Sequence, residues 1–319
     1  MKEHVPVMVN EVLEALRPWE EVGTVVDATL GLGGHSGYIL GNCANAYVIG
    51  FDQDPFAREV AGTNLSRYSG RFEVIADNFR HIEKLAERPG WTGASAVLFD
   101  LGVSNMQITE PERGFSFQGS GPLDMRMDAS EETNSRMTAK DILNGSSVKE
   151  LTEIFRKYGE EEHAYRIALG IVRKREAGEL LETTDDLVRL IREVLPAPVQ
   201  RKMGGHPARK VFQALRIAVN DEINALEEAL DGALKVLKPG GKILAMSYHS
   251  LEDRMVKTKF REWEEQGVGR SSPRKAITPS EEEIESNNKS RSAKLRIFVS
   301  DKETSGKGDK ADAIHRMPT

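Results

Sequence analysis

Four aspartates stand at or just past the ends of four short apolar runs. Asp27 follows Thr24-Val25-Val26, Asp52 follows Tyr47–Phe51, Asp77 follows Phe72–Ile75, and Asp100 follows Ala94–Phe99. A glycine turn (Gly31, Gly33, Gly34) comes after the first of them. Strand, glycine turn, helix, strand, acid is the layout of a nucleotide-cofactor site at the top of a parallel sheet. The details narrow the cofactor. A dinucleotide site uses G-x-G-x-x-G, and that frame falls here on Gly31, Gly33 and Ser36, without the third glycine. Such a site has no need of an acid like Asp27 where the pyrophosphate must approach. Asp27 suits a cationic ligand better. S-adenosylmethionine carries a sulfonium, an ammonium and a ribose diol, and carboxylates serve all three.

Each segment then has a chemical reading. The glycine turn lets backbone approach the methionine part of the cofactor, where a Cβ would collide. Asp52 can take both ribose hydroxyls, and one such charged hydrogen bond is worth roughly 1.5–3 kcal/mol. Phe79 can lie on the adenine face, with Asp77 and Asn78 at its edge, or it packs in the core. Asp100 is the candidate catalytic residue. An exocyclic amine has its lone pair conjugated into the ring and is a poor nucleophile. Acceptors on its hydrogens favour the tetrahedral nitrogen and offset the developing positive charge. Phe115 and Phe117 could stack on a base lifted out of RNA. Leu123–Asp128 alternates apolar and charged residues, which favours a salt-bridged tie between domains. Ser250 is the expected cap of a helix with Asp253 three residues on, and His249 either faces the site or packs.

The elements that must position these residues follow from periodicity. Four strands alternate with helices, so the fold class is a doubly wound α/β sheet. Val9, Val12, Leu13 and Leu16 mark a helix before the first strand, and Asp54-Pro55 starts another after the second. From Thr138 to Pro196 the pattern is all helix, with Ser147 and Glu150 forming a capping box. The spacing of Phe212, Leu215, Val219, Ile223, Leu226, Leu230, Ala233 and Leu237 predicts one long helix. After the tight turn at Lys238-Pro239-Gly240-Gly241, Lys242–Tyr248 reads as a fifth strand and Leu295–Ser300 as a last one. Gln266–Lys289 reads as a mobile polar loop. The expected domains are a core in two parts, 1–108 and 205–300, an inserted helical substrate-recognition domain at 109–204, and a disordered tail at 301–319.

Composition sets bounds. The 319 residues are 39% hydrophobic and 29% charged, as in a soluble globular protein. No run of eighteen apolar residues predicts a membrane span, and the first residues do not read as a secretory signal. A single cysteine, Cys43, excludes an internal disulfide and a cysteine-rich zinc site. The expectation is a cytoplasmic protein without a metal centre. A net charge of −6 argues against nonspecific coating of nucleic acid. Two local basic patches remain: Arg270, Arg274 and Lys275, then Lys289, Arg291, Lys294 and Arg296.

Seven motifs in series resemble one family, the bacterial 16S rRNA (cytosine-N4)-methyltransferases. They begin at Asp27 (DATLGLGGHS), Asp100 (DLGVS), Arg113 (RGFSF), Pro122 (PLDMRMD), Phe212 (FQALRI), His249 (HSLEDR) and Ser290 (SRSAKLR). The resemblance runs from about His4 to Arg296. It implies a class I, Rossmann-like methyltransferase sheet with a helical insert. It implies transfer from S-adenosylmethionine to a cytidine N4 amine in the decoding region (P site) of 16S rRNA within the small subunit, by a monomer or homodimer. The family's cofactor positions carry over to Gly33, Gly34, His35, Asp52, Phe79, Asp100 and Gln107. This chain departs from the family's frequent glycine at Leu32, serine at Asn105, Asp at Thr109 and Phe at Tyr248, and from Asn-Pro-Arg at Asn288-Lys289. Two other readings compete. One is a nicotinamide-dependent oxidoreductase, opposed by Asp27 and the missing third glycine. The other is a noncatalytic ribosome assembly factor that keeps the cofactor fold.

Overall fold

A computed structural model describes residues 6–128 and 137–301. Seven strands form one sheet: β1 (Thr24–Asp27), β2 (Tyr47–Phe51), β3 (Phe72–Ile75), β4 (Ala94–Asp100), β5 (Leu237–Ser247), β6 (Gly269–Ser271) and β7 (Lys294–Ser300). Their order is β3-β2-β1-β4-β5-β7-β6. The first five are parallel, and β7 runs antiparallel to both β5 and β6. Alternate residues of each strand feed different cores, as a pleat with helices on both faces requires. Val25, Val48, Leu98, Leu244 and Leu295 pack under the helices of the first third of the chain. Val26, Ile49, Phe99, Ile243 and Phe298 pack on the other face with Leu230 and Phe260. The chain winds outward in both directions from β1 and β4, so a crevice opens at their carboxyl ends. Asp27 is level there with Gly50 and Leu98, and Asp100 with Met246.

The helical region builds its own core. Helices Ala139–Gly145, Val148–Gly159, Ala164–Glu176 and Thr184–Val194 contribute Leu143, Phe155, Ile171 and Leu187 to it. Three of these helices start with a capping box: Thr138 with Asp141, Ser147 with Glu150, and Thr183 with Asp186. The sequence ends this module at 204. The core instead continues to Leu215, because the next helix, Arg209–Asn220, packs inside it.

That helix is also where the expected long helix breaks. Asp221 takes a left-handed conformation (φ 53°), and a second helix, Glu222–Val236, follows. The apolar stripe is continuous in spacing but serves two cores. Phe212 and Leu215 pack in the helical module, whereas Leu226, Leu230 and Ala233 pack on the sheet. In the expected loop 266–289, the edge strand β6 pairs with β7, Ile277 bridges to Leu295, and a short helix covers Glu281–Ser286. These segments are ordered by pairing rather than by their own periodicity. The glycine turn at 238–241 loops out within β5, where the partner of Ala94 is Leu237 and that of Ala96 is Lys242. Of the expected tail, only Asp301 falls within the described residues.

Candidate active site

A cavity of about 1130 Å³ lies beyond the carboxyl ends of β1, β2, β4 and β5. Gly33, Gly34, His35, Asp52, Phe79, Asp100, Gln107 and His249 all line it. Gly31 and Gly33 have positive φ (52° and 78°), so the turn needs residues that tolerate the left-handed region. The demand for glycine comes from the protein itself. A Cβ on Gly33 would sit 3.1 Å from Leu65 Cγ, and one on Gly34 would sit 2.8 Å from Pro6 Cγ.

The donors of the glycine turn meet acids. Asp52 Oδ2 accepts from Gly31 N and Oδ1 from Asp54 N, both at 2.8 Å. Each oxygen keeps a free lone-pair direction. Burial pushes the Asp52 carboxyl up to about 6 against those two hydrogen bonds. A buried carboxylate short of donors fits a ribose diol. Asp27 is buried and accepts from Ser36 Oγ at 2.6 Å and from Thr29 N at 3.2 Å. Burial raises its pKa too. Phe79 packs edge-on against Phe99, with centroids 6.0 Å apart, and still forms part of the cavity wall. Asn78 caps the helix Phe79–Glu87 through its side-chain oxygen, and Asp77 accepts from His81 Nδ1 at 2.7 Å. Burial would raise Asp77, but His81, the Asn78 backbone and Lys84 together hold it below the usual range.

Asp100 is held on three sides. Its backbone N donates to Thr29 Oγ1 at 2.6 Å. Tyr248 donates its hydroxyl to Asp100 Oδ1 at 2.6 Å, and His35 Nδ1 lies 3.6 Å from Oδ2. The other ring nitrogen of His35 is 2.9 Å from the Val7 carbonyl, which can only accept, so Nε2 carries a proton. Burial, and then the Asp100 charge, push the Tyr248 phenol well up, so Tyr248 remains a donor.

Sequence reasoning named Gln107 at this wall but missed what holds it, and it missed Arg216. Gln107 is buried and its side chain is already engaged. Its Oε1 accepts from Ser104 N in a capping box, and its Nε2 donates to Asp54 Oδ2 at 3.2 Å. The same Asp54 oxygen accepts from Arg113 at 2.8 Å, and Arg113 also donates to the carbonyls of Arg126 and Met127. Arg113 therefore pins the segment after β4 to the start of helix Pro55–Leu65. Leu123, Met125 and Met127 are buried, and Asp124 pairs with Arg126 within the same segment, so this ion pair is local and is not the tie between domains expected there. Arg216, held by Glu222 through two hydrogen bonds (2.8 and 2.9 Å), lines the cavity with Glu252. Its signal in the sequence was a charge flanked by the buried Leu215 and Ile217.

Three further expectations change. Phe115 and Phe117 are not on the cavity wall. Phe115 is buried in the helical core, and Phe117 stacks on His206 at 4.6 Å and meets Phe212 edge-on. The cap of helix Ser250–Glu265 is His249 with Glu252, not Ser250 with Asp253. Ser250 instead donates to Glu160 of the helical module at 2.6 Å. Burial would raise Glu252, but the His249 imidazole and Arg216 hold it below the usual range. The second basic patch is partly neutralised from outside, since Asp253 pairs with both Lys294 and Arg296. Lys289 reaches the cavity rim.

Acids at the carboxyl ends of β1, β2 and β4, a glycine turn after β1 and the 3-2-1-4-5-7-6 sheet define a Rossmann-like S-adenosylmethionine-dependent methyltransferase. Residues 1–301 match the sequence model of the MraW methylase family. The chain belongs to that family, the 16S rRNA (cytosine-N4)-methyltransferases, and is an rRNA methyltransferase. Solved structures of similar shape include an rRNA methylase from Streptococcus thermophilus, 12% identical, covering 94% of this chain and 98% of that one, TM-score 0.42. A Streptococcus mutans protein described as a methyltransferase, solved in complex with S-adenosylhomocysteine, is 11% identical over 93% of this chain and 99% of its own, TM-score 0.42. An S-adenosylmethionine-dependent O-methyltransferase from Thermotoga maritima is 9% identical over 94% and 68%, TM-score 0.40.

Proposed function

We propose that this protein methylates the exocyclic N4 amine of a cytidine in the decoding region of 16S rRNA, in the context of the small ribosomal subunit. The observation that carries this reading is Asp100, held by Tyr248 at 2.6 Å in a cavity that also exposes Asp52. Asp52 would hold the ribose hydroxyls, and Phe79, on the same wall, would pack against the adenine. Gly33, Gly34 and His35 bound the methionine end. Gln107 acts through Asp54, by fixing the wall beside the ribose. The bound cofactor supplies an electrophilic methyl group.

Asp100 accepts a hydrogen from the target amine. That acceptance favours a tetrahedral nitrogen and offsets positive charge as it develops. No strong base is required, because the methylated ammonium is acidic and Asp100 or water can take its proton. Arg216 and His249 also line the cavity and are the candidates to meet the base. We assign the helical module to substrate recognition. Phe115 and Phe117 serve it as core residues rather than as a stacking surface.

The test is nucleoside mass spectrometry of rRNA from cells with and without the gene, paired with Asp100→Ala in purified enzyme. N4-methylated cytidine should disappear with the gene, and Asp100→Ala should lower kcat by about 10²–10³. An unchanged nucleoside profile overturns the substrate, and full activity of the variant overturns the role of Asp100.

A further inference from the structure

A second cavity, of about 410 Å³, lies on the helical module away from the strand ends. Its walls include Lys202, Gly204, Gly205, His206, Arg209 and Lys210. They come from a stretch of unusual charge for this protein. Between 189 and 210 there are six cations, Arg189, Arg192, Arg201, Lys202, Arg209 and Lys210, against one acid, Glu193, in a chain whose net charge is −6.

Little of that charge is neutralised. Among the described residues, only Arg189 of these six has an acid partner, Asp186 at 2.8 Å. Arg192 is spent on the ring of His206, 3.0 Å from Nε2, and burial together with Arg192 holds His206 below its ordinary range. Lys210 donates to the backbone carbonyl of Glu160. No side-chain hydrogen bond or ion pair engages Arg201, Lys202 or Arg209 among the described residues, and all three are exposed. Two acids share the wall. Glu161 is buried and accepts from His163 N, which leaves Glu162 as the exposed one. Gly204 and Gly205 are exposed, so backbone is open to a ligand between the cations.

Position links this cleft to the first cavity. Helix Arg209–Asn220 starts in the cleft, and Arg216 on the same helix lines the large cavity. Seven residues of helix span ~10 Å, about three stacked nucleotides at ~3.4 Å each. We propose that this cleft binds the phosphodiester backbone of the rRNA strand next to the target nucleotide, with Lys202 and Arg209 on its wall, and Arg201 next to Lys202 in the chain, as the phosphate contacts. The proposal rests on the rRNA-methylating reading above and adds where the strand runs. Arginine and lysine both serve here as point charges, and the strand is held by position rather than by base identity.

The experiment uses the full chain carrying Arg201→Gln, Lys202→Gln and Arg209→Gln together. Methyl transfer to small subunits lacking the mark, and direct binding to naked 16S rRNA, are measured between 50 and 200 mM salt. Three lost contacts on a single strand should reduce the slope of log affinity against log salt by about 2. KM for the subunit should rise about tenfold, with kcat and S-adenosylmethionine affinity unchanged. Arg201→Lys with Arg209→Lys should keep the wild-type slope. Unchanged KM and slope in the glutamine variant, beside an active wild type, overturn the cleft and leave the proposed function standing. A slope that changes on subunits but not on naked rRNA overturns it as well, and points to an acidic ribosomal protein instead. A wild type that neither binds nor methylates rRNA overturns the parent reading.

Discussion

Asp52 titrates near 6 because burial outweighs two backbone hydrogen bonds, and this has opposite consequences for stability and for binding. The folded carboxyl keeps its proton to about pH 6, while an unfolded one loses it near 3.8. Its contribution to stability is therefore full below that lower value and lost as pH rises through about 6. Diol binding needs the ionised form and follows the reverse course. S-adenosylmethionine affinity should hold above pH 6 and fall below it, and the thermal shift on adding cofactor should grow from pH 5 to pH 7. Asp52→Asn should weaken binding roughly ten- to hundredfold and flatten that pH dependence; calorimetry at several pH values checks both. Tyr248 makes a second prediction. Removing its hydroxyl from Asp100 makes that carboxylate easier to protonate. Tyr248→Phe should lower kcat a few-fold and move the acid limb of the rate profile to higher pH, with KM for the cofactor unchanged. Asp52 and Asp100 were legible in the sequence because each closes an apolar run. The reason for Gly33 and Gly34 was not legible, because the atoms that exclude a Cβ belong to Leu65 and Pro6, distant in the chain.

Elements repeat that division between local and distant signals. Capping boxes at Ser147 and, as the structure shows, at Thr138 and Thr183 are local, and the helices begin where those residues stand. The break at Asp221 is not local. The apolar spacing passes through it unbroken, and only the existence of two cores explains why the backbone turns left-handed there. Gly159 marks a close approach between helix Val148–Gly159 and helix Arg209–Asn220, since a Cβ on it would lie 2.5 Å from the Lys210 carbonyl oxygen. Gly159→Ala should destabilise the helical module by about 1–3 kcal/mol, read as a lower melting temperature with cofactor affinity retained. The bridge between Asp54 and Arg113 belongs to the same scale. Both groups are largely buried, with side-chain exposures of 4% and 16%. Asp54→Ala would leave the largely buried guanidinium without its acid, held only by the Arg126 and Met127 carbonyls, and should cost about 3–5 kcal/mol, with loosened segments after β4 visible as faster amide exchange. Equal stability of this variant and the wild type would show that the bridge does not tie the segment down.

At the scale of the whole molecule, charge is arranged against indiscriminate RNA binding. The chain carries −6 overall, yet between 189 and 210 on the helical module six cations stand against one acid. An acidic body repels an RNA surface that it meets in the wrong orientation, while a few local cations reward the right one. Phosphate contacts so few in number bind free RNA weakly at physiological salt. An assembled subunit adds protein surface and a fixed RNA shape, which contribute area and orientation without further cations. Methyl transfer should therefore be at least tenfold more efficient, in kcat/KM, on assembled small subunits than on naked 16S rRNA at 150 mM salt. Lowering the salt should narrow the gap, because the electrostatic share of binding grows as screening weakens. Equal turnover on both substrates at every salt concentration would mean that the helical module recognises RNA alone, and that the acidic surface around it plays no part in selecting the target.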